Sequence, residues 1–149
     1  MGPHRQSLIR RAAACCLVAV VPCAAEFLSI EQKFGGIDCA TCGAGVERAL
    51  QRLRGVEAVE LGEGVVRLKL ASGNTIRLER VHDTLKGAGY TPGEARVEVR
   101  GKSLGGEFEV TGFDPAYRFV YEGKPIDGVA RGVVTAPKPG TPLRLTTSE

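Results

Sequence analysis

Gly36-Ile37-Asp38-Cys39-Ala40-Thr41-Cys42 stands between a strand-like run and a helix-like run, and its reading decides the fold. Upstream, residues 28–34 alternate as a strand does, and Gly35-Gly36 breaks them off. Downstream, Val46, Ala49, Leu50 and Leu53 recur at i, i+3, i+4 and i+7, one apolar face of a helix over roughly 42–54. Glu47, Arg48, Gln51 and Arg52 take the opposite face, and Gly55 follows as a stop signal. Two thiols three residues apart at a helix start suit two chemistries: gripping a soft metal ion, or disulfide exchange.

Working outward, residues 56–61 and 65–70 are two β-rich runs joined by Gly62-Glu63-Gly64, a three-residue hairpin loop. Leu78, Val81, Leu85 and Ala88 mark a second helical face that stops near Gly87-Ala88-Gly89, and residues 95–100 read as a further strand. The order β-α-β-β-α-β predicts an α+β class, with a ferredoxin-like domain of one antiparallel sheet carrying two helices on one face. From about Gly101 no helical period remains. Short β-like runs at 107–110, 117–121, 129–135 and 143–147 are separated by Gly, Pro and Asp, which predicts a small β-rich C-terminal domain or tail. An OB-like barrel is one candidate for it on run count. Tyr117, Phe119 and Tyr121 alternate there as core-facing strand residues. The domain reading is thus 1–25 signal peptide, 26–100 first domain and 101–149 second.

The N-terminus carries Arg5, Arg10 and Arg11, then an apolar stretch without charge, then Cys23-Ala24-Ala25 with small residues where a signal peptidase reads. Export to the periplasm or another extracytoplasmic space is the expectation, with cleavage after Ala25 and no membrane span afterwards. A retained short anchor is the alternative. The whole chain of 149 residues has 20 Lys+Arg and 17 Asp+Glu, and the first 25 residues hold three arginines and no acid. Without them 17 basic residues face 17 acidic ones, so the excess positive charge belongs to the export signal and does not mark a nucleic-acid partner. Cys15, Cys16 and Cys23 leave with it, and Cys39 and Cys42 become the only thiols, which is no disulfide scaffold.

Cys39 and Cys42 are therefore the candidate metal ligands. A thiolate is the ligand form, and a helix N-terminus lowers its pKa. Two thiolates favour Cu(I) or Hg(II), and sulfur-rich sites also suit Zn(II) and Cd(II). The loop motif, the helix after it, the element order and Gly87-Ala88-Gly89-Tyr90 resemble the heavy-metal-associated (HMA) domain family over about 27–100. That family includes copper chaperones, the periplasmic mercuric-ion binding protein and N-terminal domains of metal-pumping P-type ATPases. The resemblance implies that Cys39 and Cys42 ligate one ion and that Tyr90 lies in the loop beside it. It also implies a metal-transporting ATPase or another thiol-bearing donor or acceptor as partner.

Two positions depart from the family pattern. Ile37 replaces the usual Met, and Asp38 replaces the commoner Thr. Asp38 is the candidate accessory ligand, or else a solvated loop acid. His82 on the second helix reads as a surface or packing residue before it reads as a ligand. No phosphate loop, triad or paired-carboxylate site stands out, so a non-enzymatic metal binder is the leading reading. The alternatives are a thiol–disulfide redox protein using the same pair, which lacks the thioredoxin context, and an interaction module with a regulatory metal.

Overall fold

The computed structural model describes residues 26–36, 43–135 and 141–147. The element order is β1 (Phe27–Gly36), α1 (Gly43–Gln51), β2 (Val56–Gly62), β3 (Val65–Leu70), α2 (Leu78–Gly87), β4 (Tyr90–Leu104), β5 (Glu107–Val110), β6 (Tyr117–Glu122), β7 (Asp127–Thr135) and β8 (Arg144–Thr147). All eight strands belong to one sheet, in the order β2-β3-β1-β4-β5-β6-β8-β7, and β7 pairs back onto β4. The signal-peptide assignment and the Cys39/Cys42 motif lie outside the described residues. Among those described, no helix is long and apolar enough to cross a membrane.

The expected α+β class, with a ferredoxin-like domain followed by a β-rich, OB-like candidate, is corrected by this arrangement. The protein is mostly β, with 55% of the described residues in strands and 17% in helices, and it contains a closed five-stranded barrel. Two local features account for the difference. The helices are short, nine and ten residues, and α1 ends at Gln51, not near Arg54. β4 runs for fifteen residues, through Pro92 at one end and Gly101 near the other, both of which read as breakers in the sequence.

β4 is the strand on which everything turns. Its first part pairs antiparallel with β1 from Tyr90 to Val99, and its last part pairs with β5 from Gly101 to Leu104. Its other edge pairs with β7 from Ala95 to Lys102. β5 continues to β6, β6 runs parallel to β8, and β8 returns to β7, closing the ring. Closure leaves the barrel no free edge, which is one way a β-protein avoids edge-to-edge association. Gly101 sits at the hand-over. A Cβ there would lie 2.2 Å from the Glu109 carbonyl oxygen and 2.7 Å from the Phe108 ring, so only glycine lets β5 approach this closely.

Strand alternation sends Val66 and Leu68 of β3, Ile30 of β1 and Ala95, Val97 and Val99 of β4 inward, where Val46, Leu50, Val81 and Leu85 of the helices cover them. Tyr117, Phe119 and Tyr121 are buried, as their alternation predicts, and join the same continuous core. Phe27 links the two regions: its ring lies 6.2 Å from Phe119 in an edge-on contact and 6.3 Å from Tyr117. The Tyr117 hydroxyl then ties β6 to α2, accepting the Leu78 N–H at 3.2 Å and donating to Glu79 Oε2 at 2.8 Å. Arg77 at the N-cap offers no side-chain cap, so a barrel tyrosine satisfies one of the helix's orphan donors. Burial first, and the Glu79 carboxylate next, push the Tyr117 phenol far above its usual range, so it stays a hydroxyl.

Candidate metal centre

The CxxC segment spans the connection between the last residue of β1, Gly36, and the first residue of α1, Gly43. Asp38, Cys39 and Cys42 lie outside the described residues, so the site is characterised by the elements that bracket it. Cys42 directly precedes the first turn of α1, and that turn contains no acidic residue. The positive end of the helix dipole is therefore offset by no carboxylate there, a setting that stabilises a neighbouring thiolate. Val46 and Leu50 bury one face of α1 and hold its axis in place. Its start lies over the end of β2: a Cβ on Gly43 would touch Leu61 Cδ1 at 3.5 Å.

The β1 side of the bracket is fixed by pairing and by an internal polar clasp. Gly36 pairs with Tyr90 and has φ +114°, a left-handed backbone that glycine adopts without strain. Tyr90 is the first residue of β4 and not a loop residue. The residue is 7% exposed, and its ring packs edge-on against Phe34 at 5.1 Å. Tyr90 thus stands across from the residue that precedes the motif, with its aromatic body committed to the strand end.

Just upstream, the β1–β4 register shifts between Gln32 and Phe34. Gln32 is buried on the inner face, and its amide nitrogen donates to the Lys33 carbonyl at 2.7 Å and the Gly93 carbonyl at 2.9 Å. Its carbonyl meets His82 Nε2 at 2.9 Å. Gln32 therefore satisfies backbone groups at the irregularity and links it to α2, which fixes the direction in which β1 delivers the motif. The sequence reading missed this residue. The signal was visible, since Gln32 falls on the same strand face as Ile30, where a polar side chain needs a partner.

His82 is a packing residue bonded to Gln32. Among the described residues no group of three or more His, Cys, Asp or Glu side chains could hold a metal ion. Burial, with the Lys86 charge adding to it, lowers the His82 pKa; Glu79 and Asp83 oppose this more weakly. The folded state thus favours neutral imidazole, and the unfolded chain takes up the proton first as pH falls. Stability is full above the ordinary histidine value of about 6.5 and is lost as pH drops below it towards the folded value. Urea unfolding at pH 7.5 and pH 5 should show this loss, and His82→Gln should reduce it. An unchanged pH difference in the variant would exclude His82 as its source.

Comparison of the chain with protein-family models, with curated proteins and with solved structures gives no match.

Proposed function

We propose that this is an exported, non-enzymatic protein that holds one soft or borderline heavy-metal ion between the Cys39 and Cys42 thiolates, for trafficking, buffering or detoxification. The single observation that carries the reading is the placement of the CxxC in the chain: it leads straight into the N-terminus of α1, whose first turn has no acid. The resemblance of the motif to HMA domains supports the same ligand pair with Tyr90 beside it, and Asp38, where the chain departs from the family pattern, is the candidate accessory ligand. Thiolates are required for binding, so an environment that favours the deprotonated form raises affinity at neutral pH. A two-sulfur site leaves coordination room for an incoming thiol, so the ion can pass by ligand exchange to a thiol-bearing partner such as a metal-transporting ATPase.

The test is competition for Cu(I) and Zn(II) against chromophoric chelators, using reduced protein and a Cys39→Ser/Cys42→Ser variant. The expected result is one high-affinity ion per chain in the parent and at least a hundredfold weaker binding in the variant. Equal binding by both proteins would reject the thiolate site.

A further inference from the structure

A basic groove lies at the other end of the helix pair. α1 runs about 13 Å from Gly43, at 1.5 Å per residue, and Arg52 and Arg54 follow its C-terminus. α2 begins beside them with Arg77 and Arg80, and ends at Gly87, close to Tyr90 and the motif-bearing end of β1. Arg52, Arg54, Arg77 and Arg80 together line a groove of about 320 Å³, along with Thr75 and Ile76. Among the described residues no carboxylate lines it.

This arrangement differs from that of five strand arginines. Arg67, Arg100, Arg118, Arg131 and Arg144 each face a glutamate: Glu31, Glu26, Glu109, Glu98 and Glu122. Among the described residues no acid pairs with Arg52, Arg54 or Arg80. Glu79, in α2's first turn, accepts a hydrogen bond from the Tyr117 hydroxyl and forms no ion pair with these arginines. Like charges lining one groove repel one another, and an anion bound among them relieves that repulsion.

Arg77 is also held in place. Its guanidinium donates to the Pro115 carbonyl at 3.2 Å and lies over the Tyr117 and Phe113 rings at 5.1 and 5.5 Å. An arginine fixed this way loses little freedom when its remaining N–H groups meet a ligand.

We infer that the groove binds a phosphate-bearing anion, with Arg52, Arg54 and Arg80 supplying forked donors around the positioned Arg77. Guanidinium forks match phosphate oxygens bidentately, and a multiply charged phosphate answers four positive charges where a single carboxylate does not. The phosphate belongs to a free phosphorylated solute or to a lipid headgroup. This inference is independent of the metal reading, because the groove shares no residue with the motif.

The experiment titrates sodium pyrophosphate into the ¹⁵N-labelled full chain, and separately measures co-sedimentation with phosphatidylglycerol and phosphatidylcholine vesicles. An Arg52→Gln/Arg80→Gln variant is compared with an Arg96→Gln/Lys102→Gln control that removes the same charge elsewhere. The expected result is amide shifts at 52–54 and 75–80, and a Kd raised about a hundredfold in the groove variant but less than about threefold in the control, at roughly tenfold per lost charge-assisted contact. Pyrophosphate binding lost in the groove variant supports the free solute. Binding only to phosphatidylglycerol vesicles, lost in the same variant, supports the headgroup. Equal weakening in both variants, or no binding of either probe, overturns the inference.

Discussion

Gly101→Val is expected to destabilise the protein by about 3 kcal/mol or more, lowering the urea midpoint and, if unfolding is incomplete, loosening the barrel first. The ideal Cβ would lie 2.2 Å from the Glu109 carbonyl oxygen, and the branched side chain would run into the Phe108 ring. Backbone atoms cannot rotate away as a side chain can. Relief requires separating β4 from β5, which breaks the Gly101–Val110 pairing at the point where β4 passes from β1 to β5. Gly105→Ala is the control, since an added Cβ there meets nothing within 4 Å. It leaves the barrel packing intact, and its cost is limited to the φ +54° strain of that turn. A Gly101→Val protein as stable as the parent would show that β4 and β5 are not in close register.

Tyr117→Ala should cost about 4 kcal/mol, in the range for truncating a buried aromatic. The Tyr117 ring touches Phe27, Phe113 and Phe119, with centroids 6.3, 5.1 and 4.9 Å away. Its removal opens a cavity where β1, β6 and α2 meet. Tyr117→Phe separates the two roles of the side chain. It keeps the ring, loses the bond to the Leu78 N–H and the bond to Glu79, and should cost about 1–2 kcal/mol. Chemical unfolding of both variants measures the split. If Tyr117→Phe cost as much as Tyr117→Ala, the cap and not the packing would hold α2 to the barrel.

Local pattern made much of this fold legible. Alternation located β2, β3, β5 and β6 to within a residue, because one face of each is buried and the other is wet. The spacing of Leu78, Val81 and Leu85 located α2. Pairing between distant segments left no such trace. The parallel contact of β6 with β8 and the return of β7 to β4 join strands whose own sequences say nothing about their neighbours. Gly101 was a misleading signal: a glycine in a change of texture reads as a boundary, yet here it is the interior of a shared strand. That misreading also explains the error in fold class, since dividing β4 hides the closed barrel.

The candidate sites differ in the same way. The cysteine pair announces itself because its chemistry sits within four residues of sequence. Gln32 was readable only as a polar residue on an apolar face. The arginine groove was not readable at all, because Arg54 and Arg77 lie on either side of the β2–β3 hairpin and meet only when α1 and α2 pack together.

Native mass spectrometry of the reduced protein, isolated from its own compartment, tests the central claim most directly. One metal ion per chain, bound with both Cys39 and Cys42 unmodified and absent from the Cys39→Ser/Cys42→Ser variant, is the predicted result. A metal-free protein that takes up no Cu(I), Zn(II), Hg(II) or Cd(II) on addition, or a variant that retains the ion, would contradict it.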